Sequence, residues 1–238
     1  MAVHFTGPIL FAGKDGTKKW FENLPIDRNP DYVVYMDDFT GVALDSTNDW
    51  TVVKDSSASV AIAADVVAGA ITMSSQATTD NDGSSIQGNE IFAVASDKDI
   101  WFETKLTPTD AEGDALEICI GLTVNFATNP EAMLTAADRI VFQVDDGDSN
   151  IDCVTEKDGT ATTTDSGVDI ASGTAVTLGF HVKSTGSVEF FVNRALVATH
   201  TTNIPDDENL ALGAMQLSGS ATGTKSMNVD YIFAAQTR

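Results

Sequence analysis

An all-β sandwich, two antiparallel sheets packed face to face, is the fold class the sequence predicts, and three observations predict it. From residue 32 onward nearly every apolar cluster alternates with a period of two, the pattern of a strand with one face in a core and the other in water. Asp-Gly pairs at 82–83, 146–147 and 158–159, and Thr-Gly-Ser at 185–187, fall between those clusters as turn signals. Helical periodicity is confined to "NPEAMLTAADR" (129–139), enough for one or two turns in a loop. More than ten short strands in about 200 residues require two packed sheets rather than an open one.

The elements follow in order. "YVVYMDDFTG" (32–41) opens the body as a strand. "ALEICIGLTV" places Leu116, Ile118, Ile120, Leu122 and Val124 on one face, with Glu117, Cys119 and Thr123 opposite. "IVFQV" and "CVTEK" flank the polar run 145–152 as a hairpin. "VTLGFHVK" turns Val176, Leu178, Phe180 and Val182 inward and Thr177, His181 and Lys183 outward. "SVEFFVN" and "MNVDYIF" repeat the alternation through Val188, Phe190 and Val192, then Val229, Tyr231 and Phe233. Ser, Thr, Asp and Gly dominate 74–90, 158–174 and 218–226, which read as exposed loops. No internal repeat is present.

Residues 1–30 differ from this body of 31–238. Gly7, Pro8, Gly13, Gly16, Pro25 and Pro30 break any long helix. Yet Phe5, Ile9, Leu10, Phe11, Trp20, Phe21 and Leu24 make the segment too apolar for a solvated tail. It reads as an arm that docks, either across its own sandwich or on another molecule.

The charge is as uneven as the hydropathy. Of 13 basic and 35 acidic residues, net −22, residues 1–30 hold four and three, leaving nine and thirty-two in the body. A body so acidic repels nucleic acid and anionic membranes, so neither is expected as a partner. The opening "MAVHFTGPILFAG" lacks the features of a secretory signal, and no apolar run is long enough to span a membrane. Cys119 and Cys153 are too few for a disulfide framework and read as free thiols of a protein made in the cytoplasm, with one bridge between them left open.

Motifs for chemistry are sparse. Glu112, Asp114 and Glu117 in "EGDALE" have the E-x-D-x-x-E spacing of a large group of sandwich-fold glycosidases, in which the first Glu is nucleophile and the last acid/base. On a regular strand residues 112 and 114 share a face and 117 opposes them, so catalysis would need a bulge. No aromatics flank the motif, and a solvated strand end is the plainer reading. "DDGDSNID" (145–152) offers Asp145, Asp146, Asp148, Asn150 and Asp152 as hard oxygen ligands for calcium, but Lys157 stands where an EF-hand needs Glu, and a hairpin turn accounts for it. "GPILFAGKD" has the wrong spacing for a phosphate loop, and His4, His181 and His200 are too scattered for a zinc site or a triad. No cofactor or metal is expected.

The C-terminal half carries a resemblance. "TLGFHVKSTGSVEFFVNRALVATHTTNIP" and "ALGAMQLSGSATGTKSMNVDYIFAAQ" resemble the last strands of concanavalin A-like, laminin-G-like jelly rolls, in which a closing "V-D-Y-I" strand pairs with the opening one, here 32–41. With its front segment the chain looks like structural proteins of tailed bacteriophages. That resemblance implies a non-enzymatic capsid decoration or fibre protein on the virion surface, homo-oligomeric, a trimer among the options, with the major capsid protein as partner. Phe11, Lys18, Lys19, Trp20, Phe21 and Leu24 are the expected docking residues. The alternatives are a carbohydrate-binding module contacting glycan and, further off, a glycosidase using Glu112 and Glu117.

Overall fold

The computed structural model describes residues 32–55, 57–77, 80–109, 116–126, 128–219 and 223–238. The first strands are β1 (Tyr32–Asp37), β2 (Thr51–Lys54), β3 (Ser59–Ile62), β4 (Ile71–Ala77) and β5 (Asp82–Ala93). The middle of the chain forms β6 (Asp99–Pro108), β7 (Leu116–Thr123), β8 (Arg139–Val144), β9 (Asn150–Lys157) and β10 (Thr160–Asp169). Next come β11 (Val176–Lys183), β12 (Ser187–Val192), β13 (Ala195–His200), β14 (Asn209–Ser218) and β15 (Gly223–Thr237). The expected helix at 129–139 is reduced to a single 3-10 turn, Pro130–Met133, started by the proline.

All pairings are antiparallel and build two sheets. One runs β13-β12-β11-β6-β15-β4-β3, with β1 added beside the end of β15; the other runs β10-β9-β8-β7-β14-β5-β2. The expected closure of the opening strand on the closing one is present, Tyr35 standing opposite Ala234 and Met36 opposite Phe233. Turn chemistry sets the hairpins. Asp158 and Gly159, between β9 and β10, both have positive φ (51° and 73°), as do Asn193 and Arg194 between β12 and β13 (50° and 68°), the signature of tight turns matched to strand twist.

The core lies between the sheets, where the predicted inward residues meet. Phe102 and Phe180 of one sheet stack with centroids 4.8 Å apart, and Phe142 of the other meets Phe190 edge-on at 5.3 Å. Burying each ring contributes about 1.5–3 kcal/mol, so this cluster fixes the sheet-to-sheet register.

Two sequence expectations are corrected. The segments 74–90, 158–174 and 218–226 are largely strand rather than loop, forming parts of β4, β5, β10 and β15. Their polar residues are accommodated because partners meet them inside: Gln216 Nε2 donates to Ser75 Oγ across the sandwich (3.2 Å), and Ser84 Oγ donates to the Ser59 carbonyl. Second, β7 is buried along its whole length, not half-solvated. Cys119 and Cys153 are both free and buried, and burial pushes each thiol up to about 12, which keeps them protonated and unreactive.

Candidate functional site

The outward face of β7 explains its burial. Ile118 and Ile120 point into the core, so Glu117 and Cys119 point away from it. Residues 124–126 and 128–138 fold back over that outward face. Phe126, Met133, Val141, Val154, Met215 and Leu217 then form a second apolar cluster with Cys119. Backbone polar groups of the cover are met by side chains of the sheet edge: Gln87 Oε1 accepts from Phe126 N (3.0 Å) and Glu90 Oε1 from Asn125 N (2.9 Å). Gly213 of β14 makes room, since a Cβ there would stand 2.6 Å from the Phe126 ring. Arg139, largely buried, ties the cover down. Its Nη1 donates to the Met133 carbonyl (3.2 Å) and to Gln143 Oε1 (2.9 Å), while Nε pairs with Glu156 at 2.7 Å.

Glu117 is 9% exposed, and its Oε2 has no hydrogen-bond partner among the described residues. Burial pushes its carboxyl up to about 7; the Asp146 backbone N–H donates to it and opposes the rise, while Asp146, Asp145 and Asp80 add to it by repulsion. Glu117 is therefore a carboxylic acid that carries its proton close to neutral pH. Asp80 also lines an open cleft of about 380 Å³ with Asp55, Asn81, Asp82, Asn129, Pro130 and Glu131. Two of these carboxylates are oriented: Ser57 Oγ donates to Asp82 (2.9 Å) and Gly83 N to Asp55 (2.9 Å). The Asn81 N–H, bonded to the Ser218 carbonyl (2.7 Å), anchors the cleft floor to the end of β14.

Of the sequence-predicted residues, Glu117 stands within electrostatic reach of the cleft residue Asp80 but does not line the cleft, whereas Glu112 and Asp114 lie outside the described residues. So do all six docking residues, Phe11, Lys18, Lys19, Trp20, Phe21 and Leu24. The run 145–152 is a hairpin turn entering β9, and among the described residues no three His, Cys, Asp or Glu side chains converge as a metal needs. His181 faces outward on β11, stacked on Trp101 (5.0 Å, 12°) and bonded to Asp99 at 3.0 Å. Sequence reasoning missed the cleft. Asp55, Asp80 and Glu131 come from separate connections, and no local spacing announces that they meet.

The fold defines a class. Similar solved structures include an endo-1,3-β-glucanase from Streptomyces sioyaensis, at TM-score 0.63 and 11% identity over 88% of this chain and 98% of that one. An alginate lyase matches at TM-score 0.53 and 8% identity over 71% of this chain and 75% of its own. This is the jelly-roll sandwich of the concanavalin A-like type. Within it the chain belongs to the family described as SO2946-like, C-terminal domain, which matches residues 41–230. A protein of unknown function from Shewanella oneidensis MR-1, SO2946, has a solved structure at TM-score 0.60, 18% identical over 87% of each chain. No curated protein sequence matches the chain. The expectation of a non-enzymatic protein is corrected by these neighbours: most are polysaccharide-cleaving enzymes, so the fold gives no ground for excluding catalysis.

Proposed function

We propose that this chain is a glycan-directed protein that takes a neutral sugar chain at the acidic end of its seven-stranded sheet. The observation that carries the reading is Glu117, a nearly buried carboxylic acid held protonated to about pH 7 at the end of the sheet where the acidic cleft lies. Carboxylate and amide oxygens from Asp55, Asp80, Asn81, Asp82 and Asn129 accept hydrogen bonds from sugar hydroxyls, while their charge repels uronate-rich polymers. The jelly-roll fold is compatible with carbohydrate binding.

The pKa of Glu117 favours a second step, cleavage. A carboxyl raised toward neutrality is suited to deliver its proton to the glycosidic oxygen as the bond to the anomeric carbon breaks, with water completing the hydrolysis. Glu112 holds the matching position of the E-x-D-x-x-E spacing. A location on a virion, with the major capsid protein and sister subunits as partners, is compatible with a glycan-directed role and rests on the sequence resemblance alone.

The test is a panel of neutral glucans and uronate oligosaccharides incubated with the full chain, reading both binding and new reducing ends. Binding to neutral members is expected. Where cleavage occurs, Glu117→Gln should slow it roughly 10²–10⁴-fold with binding retained. Preference for the uronates, or full activity in Glu117→Gln, contradicts the assignment.

A further inference from the structure

We propose that the outward face of the eight-stranded sheet is the docking surface for the chain's own residues 1–31. Pairing register lays out this face. Met36, Phe233, Glu103, Gly179, Phe191 and Leu196 stand opposite one another in succession, one row across six strands. The next row runs Val34, Ala235, Trp101, His181 and Glu189. Apolar side chains dominate where a solvated sheet face would be polar; Val34, Met36 and Leu196 at the two edges are 43%, 49% and 56% exposed, while Phe233 and Ala235 between them are buried in a cluster with Tyr32, Trp101 and Tyr231.

Four observations choose the occupant. The middle of the other sheet's outward face, over β7, β8, β9 and β14, is already taken by the cover that carries Phe126 and Met133. Tyr32, the first described residue, lies against Trp101 on this face, ring centroids 6.2 Å apart, so the preceding chain enters at its border. Six strands span about 24 Å at ~4.8 Å per spacing, a width that about eight extended residues cross; residues 1–31 are ample. Charge agrees as well. The face carries Asp99, Glu103, Glu189 and Asp230 against Lys105 and Lys183, while residues 1–30 hold four basic side chains against three acidic ones. Trp20, Phe21 and Leu24 supply the apolar side chains that such a row takes up.

The experiment is zero-length carbodiimide coupling of lysine to carboxylate in the full chain, on an equal mixture of isotopically light and heavy protein, read by mass spectrometry. Links from Lys18 or Lys19 to Asp99, Glu103 or Glu189 are expected within copies of one isotope. The Lys183–Glu189 pair on the same face serves as the internal control. Arm links only to other faces, links joining light to heavy copies, or no arm link while the control forms would each overturn the proposal. The variant Trp20→Ser/Phe21→Ser, its strand content checked by circular dichroism, should lose the arm links; their persistence would overturn docking through the apolar row.

Discussion

Glu117 and His200 are buried on opposite terms, and pH separates them. The Glu117 carboxyl keeps its proton to about 7 when folded and releases it at its ordinary 4.5 when unfolded. Its contribution to stability is thus complete below pH 4.5 and is lost as pH rises through about 7. We expect the stability of Glu117→Gln, relative to the parent, to improve across that window by on the order of 1–3 kcal/mol, measured by denaturant melts at several pH values. His200 behaves in reverse. Burial lowers its pKa, so its contribution is present above the ordinary 6.5 and lost as pH falls through the lowered value. Neutral His200 pairs with Thr155 Oγ1 (2.9 Å) and Thr164 Oγ1 (3.0 Å), joining β13 of one sheet to β9 and β10 of the other. His200→Ala should cost about 1–3 kcal/mol at pH 7 through the two hydrogen bonds lost, although Thr155 Oγ1 keeps the Thr202 carbonyl (3.1 Å); an unchanged melt would remove this staple from the account.

At the scale of elements, the segments 124–126 and 128–138 decide what the seven-stranded sheet can do. They convert the middle of a face that could lie open along the sheet into an apolar layer. Gly213→Ala tests that seating directly, because its Cβ would press on Phe126; a loss of about 1–3 kcal/mol is expected. Arg139→Met tests the anchor. It strands Glu156 beside a buried site and frees the Met133 carbonyl, and about 3–5 kcal/mol should be lost. Both are read as shifts in denaturant midpoint. The alternation in 116–124 made the inward face of β7 legible, since Leu116, Ile118, Ile120 and Leu122 fill the core as expected. Its outward face was not legible, because the burial of Glu117 and Cys119 depends on a cover whose pattern resembles a short helix. The polar strands were missed for a related reason. Ser75 is satisfied by Gln216, 141 residues away, and no local composition reveals such a partner.

For the whole molecule, period-two alternation and turn residues were enough to read a two-sheet sandwich, and the jelly-roll resemblance supplied its closure of β1 on β15. The site was only partly readable. Glu117 stood in a recognisable spacing, but the acidic cleft is assembled from connections far apart in sequence, and function is not encoded in the sandwich itself. An acidic body and an acidic cleft together predict selectivity for uncharged sugar chains, whichever chemistry follows. Calorimetric titration of the full chain with a neutral β-1,3-glucan oligosaccharide, beside an oligomannuronate of similar length, tests this most directly, with Asp80→Ala/Glu131→Ala as the comparison. The account predicts binding of the glucan alone, weakened about tenfold or more in the double variant, a loss of about 1.4 kcal/mol. Equal glucan affinity in parent and variant, or binding of the oligomannuronate in its place, would contradict it.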